Sequence, residues 1–357
     1  TAVPANAYPQ ERILDVMKAW HGDDRRTNRL LAGIYRASAI ENRHSVIGDF
    51  RDDHAGEPFL IGEDGAFRNP STAERNELYR REAGKLAVCA AGRALTAGEG
   101  LPAGSVTHVI TVSCTGFYAP GPDLEIVRDL GLPQGVERYH LGFMGCYGAF
   151  PALRLARALC AADPRAVVLV VSVELCTLHL QRSANSDELL AASVFADGAA
   201  AALVTARPPN GPSFRLGAFS SSVAAQASRE MAWTIGDTGF EMTLTGEVPR
   251  VVEREVAGAL APLWEDAGLT PADMGGWAVH PGGRAILDSV ERALDLPADA
   301  LAQSREVLAS HGNMSSATVL FIIERLLSAG RPPTGPVTAV AFGPGLVVES
   351  ALLEPCA

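Results

Sequence analysis

Six short stretches of the chain are dominated by apolar residues: VTHVITVS (106–113), AVVLVVSV (166–173), AAAALVTA (199–206), WAVH (277–280), VTAVAF (337–342) and LVVESALL (346–353). Runs of this length and composition predict strands buried on both faces. Between them, apolar residues recur at three-to-four spacing over 123–131, 146–162, 248–268, 282–294 and 314–329, which predicts helices. Alternation of such strands and helices implies an α/β protein whose parallel or mixed sheet is covered on both sides. The stretch SSATVLFIIERLL (315–327) carries charge only at Glu324 and Arg325, so its helix is central rather than superficial.

The order of elements repeats. Strand 106–113, a helix from Cys146 and strands 166–173 and 199–206 are followed by strand 277–280, a helix from about Asn313 and strands 337–342 and 346–353. A Pro/Gly-rich connector, ARPPNGPS (206–213), separates the two series. The expected organisation is two related halves, 1–210 and 211–357, whose core helices begin close together. One presents Cys146 and the other Asn313.

Composition narrows the function classes. The 357 residues are 47% hydrophobic and 20% charged, with a net charge of −11. This acidic balance argues against nucleic acid as a partner. No apolar run reaches the roughly 18 residues of a membrane span. The opening TAVPANAYPQERILD lacks the basic region and apolar core of a secretory leader. Cys89, Cys114, Cys146, Cys160, Cys176 and Cys356 are scattered, with no C-x-x-C pair. That spacing argues against zinc and against a disulfide scaffold, and a reducing cytoplasm is the expected setting. No G-x-G-x-x-G or P-loop motif opens a helix, so dinucleotide and nucleotide readings lack support.

Candidate chemistry centres on HLGFMGCYGAF (140–150), where Cys146 sits among Gly142, Gly145 and Gly148 at a helix start. Exposed N–H groups there favour thiolate. A buried core cysteine is the plain alternative. His280 closes a short strand ahead of Pro281-Gly282-Gly283, and Asn313 follows Gly312 at the start of the buried helix. Alone, the first reads as an ordinary histidine and the second as an N-cap. Together the three sit at element junctions on one side of the expected sheet, where open α/β sheets place their sites. His280 can lower the pKa of Cys146 by pairing imidazolium with thiolate. With an acyl group on the cysteine, His280 and Asn313 can both donate to one developing oxyanion. A protease would instead use the asparagine to orient the histidine.

The chain resembles the type III polyketide synthases, the chalcone synthase-like family. SCTGFYAPGPDLEIVRDLGL, GFMGCYGAF, VFADGAAAALV, AVHPGGRAILD, REVLASHGNMSSATVLFIIE and AFGPGLVVES carry the resemblance over essentially the whole length. It implies a thiolase fold: two duplicated α/β halves forming a five-layered α-β-α-β-α arrangement. It implies Cys146, His280 and Asn313 as catalytic triad and Phe195 as one of two phenylalanines at the mouth of the active site, the second position being Met242. Cys114 and Thr115 replace Thr-Ser of the plant enzymes. Ala119 replaces Met, Cys176 and His179 replace two threonines, and Trp233 replaces Gly. Ser315 is kept, as is the loop Phe342-Gly343-Pro344-Gly345. Ala119, Ala191 and Met242 are candidates for an acyl tunnel beside Trp233. Arg25, Arg26, Arg29, Arg36 and Arg43 are candidates for the coenzyme A phosphates.

The resemblance further implies a homodimer without metal or redox cofactor, using acyl-CoA and malonyl-CoA. VELCTLHLQ, Trp233 and GFMGCYGAF resemble bacterial synthases that extend fatty acyl starters to alkylresorcinols and alkylpyrones. The alternatives are a malonyl-primed synthase of a small aromatic, a ketoacyl-ACP synthase III performing one condensation, and a catalytically dead scaffold of the same fold.

Overall fold

The computed structural model describes residues 1–51, 58–98, 101–207, 210–224, 227–330 and 332–356. The first half runs β1 (Ala7–Pro9), α1 (Gln10–His21), α2 (Arg25–Ala37), β2 (Asn42–His44), α3 (Thr72–Ala97), β3 (His108–Ser113), α4 (Pro122–Asp129), β4 (Glu137–Gly142), α5 (Ala149–Ala162), β5 (Val167–Leu175), α6 (Ser186–Val194) and β6 (Asp197–Thr205). The second runs β7 (Ser213–Val223), β8 (Met231–Gly236), β9 (Gly239–Leu244), α7 (Val248–Glu265), β10 (Gly276–Val279), α8 (Arg284–Ala293), α9 (Ala302–His311), α10 (Thr318–Ser328), β11 (Val337–Gly343) and β12 (Val347–Cys356). Residues 208 and 209 of the connector lie outside the described residues.

Two four-stranded sheets repeat one theme. In the first, ordered β4-β3-β5-β6, β3 is parallel to β4 and β5, and β6 runs antiparallel to β5. In the second, ordered β10-β11-β12-β7, β10 and β11 are parallel and β12 runs antiparallel to β11. β7 flanks β12 as Ala2, bridging Ala199, flanks β6. Each apolar run forms a strand because both faces of its sheet are covered: all nine residues of β5 and all seven of β11 are buried.

Helices α5 and α10 lie between the sheets. Phe150 and Leu153 of α5 and Phe321 and Ile322 of α10 share one core with Val112, Ala200, Ala278, Ala339 and Ala351 from both sheets. Helices α3 and α4 cover the outer face of the first sheet, and α7, with α8 against it, covers the second. The result is the expected five-layered order, helix, sheet, helix, sheet, helix. The two core helices do begin together: a Cβ added at Gly148 would lie 3.4 Å from Cβ of Ser316 and collide with Val112. Both start later than the periodicity predicts, at Ala149 and Thr318, because turns at Cys146–Gly148 and Ser315–Ala317 precede them. Among the described residues no helix is long and apolar enough to cross a membrane.

Candidate active site

The parallel strands of both sheets deliver their C-terminal ends to one region. β3 leads into Cys114-Thr115, β5 into the 3-10 turn Cys176–His179, β10 into His280 and β11 into Pro344-Gly345. The Cys146 turn is wedged among them. Gly145 has φ +86°, and a side chain there would overlap the Pro344 ring. A Cβ at Gly343 would strike Tyr147 and approach the Cys146 nitrogen at 3.4 Å. The Gly-Pro-Gly loop therefore packs directly on the backbone that presents Cys146, which only glycine permits at these positions.

Asn313 is held by main chain. Its N–H donates to the Val194 carbonyl (2.8 Å), and its carbonyl accepts from the Ala196 N–H (2.8 Å). Its side-chain Oδ1 accepts from the Ser315 N–H (2.9 Å). The side chains of Ser315 and Asn313 are close enough to Cys146 to act on its thiol, both lowering its pKa. His280 is buried, its N–H donating to the Val340 carbonyl (2.8 Å). Neither of its ring nitrogens has a protein hydrogen-bond partner. The loop after it brings Gly283 against Val194, the residue whose carbonyl holds Asn313.

Burial works against the charged pair that the sequence suggests. Burial pushes the Cys146 thiol up to about 12, with the charge of Glu174 adding to the rise and the Ser315 and Asn313 side chains opposing it. Burial likewise pushes the His280 imidazole down to about 3. Burial thus disfavours the charged form of each group, thiolate and imidazolium alike. A helix start offers about 0.3–1 kcal/mol to an anion, under one pKa unit, and the effect fades beyond the first turn. Cys146 stands three residues before α5, so desolvation wins.

Sequence reasoning missed Glu174. Fully buried at the end of β5, it accepts from the Cys114 N–H (2.9 Å), the Thr115 hydroxyl (2.9 Å) and the Ser316 hydroxyl (2.5 Å). Burial pushes its carboxyl up to about 7. It ties the end of β3 to the turn that precedes α10. A carboxylate inside the otherwise uncharged VVLVVSVEL was the available signal.

Beside this cluster opens a cleft enclosing about 430 Å³, part of it continuous with solvent. Six predicted residues line it: Cys176, His179, Ala191, Phe195, Trp233 and Met242. Leu180, Gln181, Glu188, Ala192, Phe240 and Glu241 also line it and were not predicted. The Trp233 indole Nε1–H donates to the Cys114 carbonyl (2.8 Å), and its ring meets His179 and Phe240 edge-on at 5.5 and 5.8 Å. His179 stacks on Phe240 at 4.1 Å. Its Nδ1 accepts from the Phe240 N–H (3.0 Å), which assigns the proton to Nε2, 2.8 Å from the Thr115 carbonyl. Burial holds this ring neutral, its pKa pushed down to about 3. His179 is a wall element rather than a proton carrier.

The remaining predicted pocket residues do not line the cleft. Ser315, Gly343, Pro344 and Gly345 gather at the Cys146 turn or on its flank. Cys114 supports that turn, its Sγ accepting from the Gly145 N–H (2.9 Å). The Thr115 hydroxyl is occupied by Glu174 and the Leu175 N–H. Ala119 is exposed, because the chain leaves the site beyond Gly116 and turns outward towards α4. Arg43 is likewise not a surface cation. It is fully buried, donating to Gln10 Oε1 and to the carbonyls of Ala192 and Phe195, each at 2.8 Å. Arg25, Arg26, Arg29 and Arg36 are exposed on α2. Among the described residues no group of three His, Cys, Asp or Glu converges to hold a metal, and all six cysteines are free.

The sequence pattern of the chalcone and stilbene synthase N-terminal domain matches residues 1–208, and that of the C-terminal domain residues 218–356. Similar proteins include 1,3,6,8-tetrahydroxynaphthalene synthase of Streptomyces peucetius subsp. caesius, 31% identical over 99% of this chain and 91% of that protein. Probable polyketide synthase 1 of Dictyostelium discoideum is 29% identical over 99% of this chain, which spans only 11% of that protein's length. The crystal structure of PKS-I from the brown alga Ectocarpus siliculosus superposes with a TM-score of 0.93 at 28% identity, covering 99% of this chain and 96% of that one.

Proposed function

Since this chain belongs to the chalcone and stilbene synthase family and is a type III polyketide synthase with the thiolase fold, we propose that Cys146 carries the growing acyl chain, with His280 and Asn313 as its catalytic partners. The Cys146 sulfur attacks the thioester carbonyl of an acyl-CoA starter, its proton passes to His280, and coenzyme A leaves as the thiol. Malonyl-CoA then loses CO₂, and the resulting enolate oxygen is held by N–H donors of His280 and Asn313. The enolate carbon attacks the Cys146 thioester, forming the carbon–carbon bond and expelling the sulfur. The extended chain reloads and finally cyclises.

The observation that carries this reading is that a buried cysteine, with the Asn313 and Ser315 side chains acting on its thiol, lies in the region where the parallel strands end, one of them in His280, whose buried imidazole has no protein partner. A neutral imidazole can accept the thiol proton, which a charged one cannot. In the same reading the protein works as a homodimer of two-halved subunits, 1–210 and 211–357. The exposed arginines of α2 meet the coenzyme A phosphates, since α2 packs on α6, whose Ala191 and Ala192 line the cleft.

Leu180, Ala191, Ala192, Phe195, Trp233, Phe240 and Met242 make the cleft largely apolar, and Glu188 and Glu241 add negative charge. This lining supports a neutral fatty acyl starter and an alkylresorcinol or alkylpyrone product. The likeness to a tetrahydroxynaphthalene synthase favours a second reading, a small aromatic built from malonyl-CoA alone. Incubation with malonyl-CoA, with and without a series of fatty acyl-CoAs, separates them by product mass. We expect products that carry the acyl tail. A tail-free aromatic as the main product in every incubation would overturn the fatty starter.

A further inference from the structure

We propose that Thr72, at the start of α3 and outside the cleft, sets the width of the starter cleft by clamping the tip of the β8–β9 hairpin. The inference rests on the reading of this cleft as the starter site. Among the described residues, strands β8 and β9 pair only with each other and with neither four-stranded sheet. An isolated two-stranded hairpin is marginal in water, so its position depends on what its side chains and turn touch. This hairpin supplies Trp233, Phe240 and Met242 to one wall, while α6 supplies Ala191 and Ala192 to another.

The turn from Gly236 to Gly239 is gripped by Thr72 through three hydrogen bonds. The Thr72 hydroxyl donates to the Gly236 carbonyl and accepts from the Gly239 N–H (2.9 Å), and the Thr72 N–H donates to the Asp237 carbonyl (2.8 Å). A single hydroxyl can do both because it is donor and acceptor at once. Behind it, α3 begins with a capping box in which Ser71 and Glu74 satisfy each other's main-chain N–H groups. One turn on, the buried Arg75 donates to the carbonyls of Leu178 and Leu180, fixing the segment that carries His179. A Cβ at Gly239 would stand 3.1 Å from the Arg75 side chain. The start of α3 therefore holds the hairpin tip and the 178–180 wall at a set separation. Gln181 reinforces the tip, accepting from the Thr238 hydroxyl (3.1 Å) and donating to the Phe240 carbonyl (3.3 Å).

The test compares Thr72→Val, Thr72→Ser, Thr238→Val and, as a cleft-wall control, Trp233→Ala. Hydrogen exchange of residues 231–244 reports the hairpin, and kcat/KM for long and short acyl-CoA starters reports the cleft. Thr72→Val removes both hydroxyl bonds and should speed hairpin exchange by at least about fivefold, the opening that a loss of about 1 kcal/mol allows. It should shift the long-to-short starter ratio by about threefold or more, within what one contact in a tight pocket is worth. Decarboxylation of malonyl-CoA alone should stay at the wild-type rate. Thr72→Ser, which keeps the hydroxyl, should match wild type. Thr238→Val, which leaves α3 untouched, should shift the ratio the same way by less and keeps the proposal testable if Thr72→Val fails to fold. A shift from Trp233→Ala, with loosened Thr72 and Thr238 variants leaving the ratio unchanged, overturns the clamp alone. No shift from any of them overturns the clamp and the starter reading of the cleft together.

Discussion

An asparagine side chain offers one acceptor and two N–H donors, and at Asn313 the acceptor is already committed to the Ser315 N–H. Its donors are what remain for chemistry at Cys146. Asn313→Ala should therefore slow malonyl-CoA decarboxylation by roughly 10²–10³, the usual cost of one oxyanion donor. Alkylation of Cys146 by iodoacetamide should stay near wild type, while His280→Ala should depress both reactions. Carbon dioxide release from Asn313→Ala at the wild-type rate would remove Asn313 from the reaction. The three proposed residues stand out in the sequence because each lies at a glycine-marked junction. Their charge state does not, since it depends on burial by residues far away in the chain. Glu174 escaped for the converse reason: its partners, Cys114, Thr115 and Ser316, lie on three separate segments.

Among the elements, strands buried on both faces announce themselves as continuous apolar runs, and β3, β5, β6, β10, β11 and β12 all fall on predicted stretches. The others carry weaker signals. β4 is an exposed edge, and β7 is rich in serine, pairing on one side with β12. Helix α3 buries Ala83, Gly84, Ala87, Ala90 and Ala91, a small-residue face with little hydropathy contrast that lets it sit close to the sheet. The β8–β9 hairpin alternates Met231, Trp233 and Ile235 with smaller residues, a period-two signal that went unread. Its Trp233 is a cleft wall with a hydrogen-bonded indole, not a core side chain remote from the site. Trp233→Gly should preserve decarboxylation and change the number of extensions or the resorcinol-to-pyrone ratio. Chromatography and mass analysis with one long and one short acyl-CoA would show this. An identical product profile from the folded variant would make the indole structural only.

For the whole molecule, duplication was legible because element order repeats even where residue identity does not. Its energetic consequence lies in buried ionisable groups near and around the site. Burial holds His44, His140, His179, His280 and His311 below the ordinary histidine value. In the unfolded chain these rings protonate as pH falls through about 6.5. The unfolded state then binds more protons, and stability falls with falling pH. Glu174 and Asp197, pushed up to about 7 and about 6, act in the opposite sense, because the folded state protonates them first. With at least one net proton left to the histidines, stability should drop by about 1.4 kcal/mol or more per pH unit between roughly pH 6 and 5. Urea unfolding across that range measures it, and a flat or rising stability would contradict the assignment of neutral buried rings.

Cys114 and Cys176 are also buried beside the site, so three sulfurs compete to carry the acyl chain. Peptide mass mapping after incubation with a long acyl-CoA, in the absence of malonyl-CoA, tests this most directly. The predicted result is one acyl mass on the peptide containing Cys146, absent from Cys146→Ala. An acyl group on the peptide of Cys114 or Cys176, or one that persists in Cys146→Ala, would contradict it.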